Sequence, residues 1–486
     1  MERKSAWPLR LAYLYLALPV AIFFAAWLRW YFALPLLALL GWGLVKAMLD
    51  APAVWRPEKG GRTFFIGLTC AAVIVVAVTL SGVGGFMFQN SDHYWRNAIF
   101  DTLLEYDWPV LDVNAAGRPV MLVYYIGFWL PAALVGKAFG SVAGYTFQAI
   151  WTVAGVGITW SLICAKLKRH SVVPLVLFFC FSGLDIVILL LKGVPVTWTT
   201  HLEWGLDHFQ FSSFTTQLFW VFNQAVPAWV LTLCLLLQEK NGHMVFLLSL
   251  AMINCTLPFV GMLPIAATMA LTRRYGRARG KARLIAWLKD TFTPINLLCG
   301  GAVGIAGFLY VASNSRATSG GEAQSSGPVG LVWQSFDSFW AFLVRYGVFL
   351  LFEVLLYFFL VFKYEKREPL FWVAGVSLCV IPLFSVGISN DFCMRASIPA
   401  LLVLYLMVAK SVELSYNRKE NRILIPLLIC LVIGATTPAH EVGRSIAQTA
   451  RGNVWAGTFP LMQSEHDQNF VAEAEDSLFY RYIVKR

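Results

Sequence analysis

One polar stretch holds the densest set of side chains able to do chemistry. Residues 84–119 read GGFMFQNSDHYWRNAIFDTLLEYDWPVLDVNAAGRP and carry Asp92, His93, Arg96, Asn97, Asp101, Glu105, Asp107 and Asp112. Carboxylates, an imidazole and a guanidinium this close together can exchange protons and bind polar ligands. A second polar segment, 192–216, gathers His201, Glu203, Asp207 and His208 among Trp198, Trp204 and Phe209. Aromatic rings beside acids suit sugars, because rings stack on C–H faces and carboxylates accept hydroxyl hydrogen bonds. An interfacial aromatic belt with polar trim gives the same composition. His201 and His208 could serve a zinc ion, but their spacing matches no recognised ligand pattern. Asn223 and Gln224 sit inside the apolar run QLFWVFNQAVPAW, where polar groups face a cavity or pack against another helix. Asp391 and Arg395 stand four residues apart in SNDFCMR. Arg395 can offer paired donors to a lipid phosphate or anchor its helix through Asp391. Glu353 and Arg345 read as a structural pair within one run. Asp185, after Ser182-Gly183, reads as the cap of a broken helix.

These groups need elements to position them, and composition says which kind. Of 486 residues, 58% are hydrophobic and 13% charged, with mean hydropathy +0.65; soluble domains carry about 25% charged residues. Apolar windows near 20 residues recur, which predicts an all-α polytopic membrane protein of about 11–13 spans. Candidate spans are 9–28, 31–49, 63–85, 119–137, 142–164, 171–191, 217–237, 244–271, 292–312, 339–362, 370–389, 396–412 and 422–437. The start, MERKSAWPLR plus an apolar run, imitates a secretory signal but lacks a convincing cleavage site, so it reads as an uncleaved first helix. The nine cysteines lie in apolar runs, with Cys393 the expected exception. No C-x-x-C pair occurs, and small buried hydrophobes is the reading that follows.

Charge sets the expected orientation. About 25 of the 38 Lys and Arg fall in loops assigned to the cytoplasm. The strongest marker is RRYGRARGKARLIAWLK, Arg273 to Lys289; it lacks the aromatic interleaving of a nucleic-acid patch and lies between spans. No nucleic-acid partner is therefore expected. Placing Lys166, Lys168, Arg169 and Lys240 inside requires one net crossing between Arg118 and Lys166. It also requires a hairpin in 244–271, broken at Asn254–Pro258. The competing topology makes both regions simple crossings and puts His201 to Ser213 in the cytoplasm. The preferred one gives a transmembrane domain over 1–437 and a short polar tail over 438–486. Its outer segments are 86–118, 192–216, 313–338 (a mobile Gly/Ser loop), 389–395 and the tail. From Asp92, Trp95, Ile99, Leu103 and Tyr106 recur at helical steps, predicting an amphipathic surface helix with its acids, Arg96 and Asn97 facing water. No Walker motif, G-x-G-x-x-G unit or inverted repeat is present.

An Asp just after a span, continuing as a surface helix that ends in Trp-Pro, resembles the first outer loop of the GT-C superfamily of integral-membrane glycosyltransferases. Here the motif is NSDHYWRNAIFDTLLEYDWPV. HLEWGLDHFQFSS, LFWVFNQAVPAW and NDFCMRASIPA are similar to motifs of bacterial membrane proteins of this architecture. The loop motif covers about 30 residues and the architecture about 430. The resemblance implies inverting sugar transfer from a polyprenyl-phosphate-linked donor to a glycan, lipid or protein acceptor. It places the site on the outer face of a bacterial cytoplasmic membrane, with Asp92 as catalytic base. His93, Arg96, Asp107, His201, Glu203, Asp207, His208, Asn223 and Gln224 become substrate contacts, and Arg395 and Arg118 donor-phosphate contacts. No cofactor is assigned, and a divalent cation stays an open choice. A transporter or flippase of a lipid-linked glycan, and a glycan polymerase or ligase, are the alternatives. Intramembrane charges are few and the polar clusters concentrate on one side, which favours the enzyme over the flippase.

Overall fold

A computed structural model describes residues 3–114, 117–206, 208–276, 278–314, 329–386, 391–463, 470–475 and 477–485. It is 72% helix and 5% strand, so the all-α membrane expectation holds. The first helices are α1 (Trp7–Trp27), α2 (Trp30–Leu49), α3 (Gly61–Leu80), α4 (Ser91–Glu105), α5 (Ile126–Phe139, opening as a 3-10 turn) and α6 (Ser141–Leu167). Then come α7 (Val172–Cys180), α8 (Asp185–Leu191), α9 (Phe214–Leu236), α10 (Met244–Asn254), α11 (Thr256–Thr272), α12 (Gly280–Thr291) and α13 (Ile295–Val311). The last are α14 (Phe339–Glu365), α15 (Pro369–Leu383), α16 (Asp391–Ala396), α17 (Ile398–Asn417), α18 (Asn421–Gly434) and α19 (Thr436–Ala450). Their apolar runs satisfy the backbone internally, the condition for crossing hydrocarbon. The central helix is α9, buried along its whole length.

The polar ends of these helices gather on two faces. On one, β1 (Lys4–Ser5) pairs with β2 (Val54–Trp55). Lys166 Nζ donates to Leu236 O at 3.0 Å, Arg169 pairs with Glu413, His243 with Asp50 and Lys410 with Glu365. This is the basic face. On the other, β3 (Leu111–Val113), β4 (Pro119–Leu122) and β7 (Val471–Glu473) form an antiparallel sheet, and β5 (Val329–Leu331) pairs with β6 (Phe384–Val386).

The two hairpins required by the charge pattern are present. After β4 the chain dips inward, and α5 brings it back, where Lys137 Nζ donates to Leu104 O and Tyr106 O at 3.1 and 2.6 Å. Between Arg118 and Lys166, α6 is the one described helix long and apolar enough to cross. The second hairpin leaves the basic face at His243 and breaks at Cys255. It returns at Arg273, whose Nη1 donates to Gln238 O at 3.0 Å. Asn254 Nδ2 satisfies carbonyls at the break, donating to Leu16 O and Leu250 O at 3.1 and 2.8 Å.

Several expectations need correction. Among the described residues nine helices are long and apolar enough to cross a membrane, or ten with the bent pair α12–α13, not eleven to thirteen. The runs at 119–137 and 244–271 turn back, and α15 is short. Helix α4 is not a surface helix. Arg96 and Asn97 are buried while Trp95 is exposed, because the C-terminal segment folds over it. Asn97 Nδ2 donates to Gly457 O at 3.0 Å, and Phe459 stacks on Tyr94. The C-terminal segment also packs on the helices: β7 joins the sheet, and Phe479 packs against Phe23 and Tyr310. Cys393 is buried, its thiol donating to Gln210 O. Glu353 lies against Gly183 rather than Arg345, whose guanidinium sits over Phe336. Asp185 is the first residue of α8 beyond the break at 181–184 but does not cap it: its carboxylate accepts from Ser182 Oγ and Thr437 Oγ1 at 3.1 and 2.8 Å. Residues 315–328 of the Gly/Ser loop lie outside the described residues, as do 387–390 before α16.

Candidate active site

The site is built around a kink. Helix α9 loses helical geometry at Val221, and Phe219 O accepts hydrogen bonds from outside the helix. Asn90 Nδ2 donates to it at 2.8 Å and His93 Nε2 at 3.1 Å. The same nitrogen reaches Ser81 O at 3.1 Å. With two carbonyl partners, Nε2 must carry the hydrogen. Burial, aided by the neighbouring Arg96, lowers the His93 pKa to about 4, so the ring is neutral. His93 therefore ties α4 to α9, and it is buried away from any substrate surface. Asn90 also caps α4, its side-chain oxygen accepting from Asp92 N at 3.0 Å. These contacts fix the start of α4 and hence the place of the Asp92 carboxylate.

Two Asp–Arg pairs meet there. Asp92 pairs with Arg96 at 3.0 Å on α4, and Asp391 with Arg395 at 2.9 Å on α16. The two arginines are buried, while the acids are 34% and 41% exposed. Buried guanidiniums persist only when paired and hydrogen-bonded. Adjacent tyrosines at the bottom of the β4 dip supply the rest. Arg96 Nη1 donates to Tyr124 Oη at 3.2 Å, and Arg395 Nη1 to Tyr125 Oη at 2.6 Å. Turned to satisfy both neighbours, the Gln224 amide oxygen accepts from Arg395 Nε, Arg395 Nη1 and Tyr125 Oη at 3.3, 3.2 and 3.1 Å. Arg395 Nη2 makes no hydrogen bond among the described residues. The protein around Asp391 pushes its carboxyl up, and Arg395 beside it pulls it down. The cluster thus offers two partly exposed carboxylates that can take a proton, beside buried cations that can meet an anion.

Other expected contacts lie elsewhere. Asp107 is exposed beyond the far end of α4, about 22 Å along a helical path from Asp92. Arg118 sits beyond β4 and pairs with Glu473 at 3.4 Å, so it does not share the Arg395 site. Asn223 is buried in α9 with no hydrogen-bond partner among the described residues. Asp207 lies outside the described residues. His208 is exposed against Phe336, while His201 is buried, so the zinc pair is not assembled. Among the described residues no three His, Cys, Asp or Glu side chains are arranged to hold a metal ion.

His201 and Glu203 belong to a second, buried cluster. His201 Nδ1 lies 3.0 Å from Glu441 Oε1, and its Nε2 3.7 Å from Glu203. Glu441 also accepts from Arg444 and from Trp220 Nε1. Glu203 accepts from Ser213 N at 2.9 Å and Gln210 Nε2 at 3.2 Å. Trp204, edge-on to His201, is the exposed ring of the group. Sequence reasoning missed Glu441, Arg444, Tyr124 and Tyr125. Only the i, i+3 spacing of Glu441 and Arg444 in HEVGR signalled any of them.

Burial pushes the Glu203 carboxyl up to about 7 against the pull of His201, with Asp185 adding to the rise. An unfolded Glu titrates near 4.3. The folded protein then holds this proton where the unfolded chain has lost it, and that stability disappears as pH rises through 7. The melting temperature in detergent is expected to fall between pH 5 and pH 8, and Glu203→Gln to flatten that fall. An unchanged slope in the variant would assign the pH dependence to other groups.

Compared with known proteins, the chain matches no family model, no curated protein and no solved structure.

Proposed function

We propose that this protein is a GT-C-like glycosyltransferase of the bacterial cytoplasmic membrane, using a polyprenyl-phosphate-linked sugar on the outer face. The observation that carries the reading is the convergence of Asp92–Arg96 and Asp391–Arg395 on Tyr124–Tyr125. This lies on the face opposite the basic loops. Inverting transfer needs a base for the acceptor hydroxyl and donors for the departing lipid phosphate. Asp92 supplies the first. Arg395, its Nη2 unbonded among the described residues and its other nitrogens held by Tyr125 and Gln224, supplies the second. The acceptor's proton goes to Asp92, its oxygen bonds the anomeric carbon, and the lipid phosphate leaves with the bond's electrons.

Purified protein in liposomes is expected to release radiolabelled sugar from a polyprenyl phosphate into an acceptor fraction. Label retained on the lipid across hexosyl and pentosyl donors, with acceptors of all three classes, would overturn the reading. Orientation has its own check. Cysteines placed at Ser91 and Thr199 are expected to react with an impermeant reagent in intact cells, and one at Lys281 only in broken cells. The reverse pattern would put the site in the cytoplasm.

A further inference from the structure

A groove at the α1–α2 turn has the layered chemistry of a lipid. It lies on the same face as the site and has a volume of about 670 Å³. Its lining combines two cations, Arg29 and Lys485, two aromatic rings, Trp30 and Tyr31, and the apolar Leu34 and Leu37. Trp30 is 72% exposed, as suits an aromatic ring at a membrane interface.

The C-terminal segment contributes to this lining. Leu28 bridges to Val484, Arg29 N donates to Ile483 O at 3.0 Å, and Lys485 N donates to Trp27 O at 2.8 Å. The Arg29 guanidinium spans the joint. Its Nε donates to Val484 O at 3.0 Å, Nη2 to Arg481 O at 3.3 Å and Nη1 to Tyr31 Oη at 3.0 Å. All three partners are neutral. Two cations line one apolar groove, and among the described residues no carboxylate pairs with either. At the start of α2, Phe32 N and Ala33 N already donate to Arg29 O at 2.9 Å, which leaves only the Trp30 and Tyr31 amides without an acceptor inside the helix.

We propose that this groove binds the phosphate headgroup of one anionic phospholipid, with an acyl chain lying on Leu34 and Leu37. A zwitterionic lipid fits less well, because its own ammonium would meet Arg29 and Lys485. The bound lipid would clamp the segment that covers α4, since Phe470 of that segment packs on Trp95 and Tyr124. The inference needs no assumption about catalysis.

Native mass spectrometry of the full chain, titrated with phosphatidylglycerol or phosphatidylcholine, tests it. Wild type is expected to retain one phosphatidylglycerol at concentrations where phosphatidylcholine is lost. Each of Lys485→Gln and Arg29→Gln is expected to weaken that binding about fivefold, the usual contribution of one basic residue near a lipid anion. Arg29→Gln loosens the C-terminal joint, so Lys485→Gln, which removes no side-chain hydrogen bond, is the deciding variant. Lys281→Gln, on the basic face, is expected to change nothing at this site. Equal retention of the two lipids by wild type, or unchanged phosphatidylglycerol binding in Lys485→Gln, overturns the proposal.

Discussion

Asp92→Asn is expected to lower sugar-transfer turnover by about 10²–10⁴-fold, the contribution of a positioned base, while donor binding and folding survive. The amide keeps the size of the carboxylate and can still accept from Arg96, but it cannot take a proton. The Asn90 cap uses the backbone amide of residue 92, so the start of α4 is untouched. Asp391→Asn is the necessary comparison, because its carboxylate belongs to the same cluster and is similarly exposed. Asp107→Asn is the control, and near-normal turnover is expected at that distance. Loss in Asp391→Asn with normal turnover in Asp92→Asn would move the base to α16. Normal turnover in both would remove the paired acids from the chemistry.

The site was half legible in the chain. Asp92 and Arg395 stood out because charged residues at the mouths of apolar runs are costly and rarely idle. Their i, i+4 partners, Arg96 and Asp391, could be read from helical spacing alone. That the two pairs meet could not, since roughly 300 residues separate them and no local pattern records a long-range contact. Tyr124 and Tyr125 were hidden inside VMLVYYIGFW, which hydropathy reads as a span. The dip and return there depend on tertiary support: β4 pairing with β7, and Lys137 capping carbonyls at the end of α4. The burial of Arg96 and Asn97 has the same origin. Periodicity correctly found a helix at 91–105 but assigned its polar side to water, because nothing local shows that residues 453–463 cover it. The second hairpin was legible, because Asn254-Cys255-Thr256-Leu257-Pro258 breaks the apolar run and positive charge flanks both its ends.

Arg395→Lys is expected to weaken binding of the polyprenyl-phosphate donor by about 1–3 kcal/mol, the scale for losing a hydrogen bond to a charged group. Lysine preserves the charge beside Asp391 but not the planar fork. The fork divides the work: Nη1 serves Tyr125 and Asp391, Nε serves Gln224, and Nη2 remains for the phosphate. A single ammonium cannot hold these directions and also reach the ligand. Gln224→Leu should act in the same sense but more weakly, since it removes one acceptor that aims the guanidinium and leaves the charge in place. The measurement is a donor titration on detergent-purified protein, with melting temperature recorded in parallel. A purely structural Arg395 would lower the melting temperature of Arg395→Lys and leave the donor affinity of its folded fraction unchanged. A phosphate ligand would do the opposite, because Asp391 is 41% exposed and water can compensate it when the fork is lost. Unchanged donor affinity in both Arg395→Lys and Gln224→Leu would leave Arg395 as the anchor of α16 and require another cation to receive the leaving phosphate.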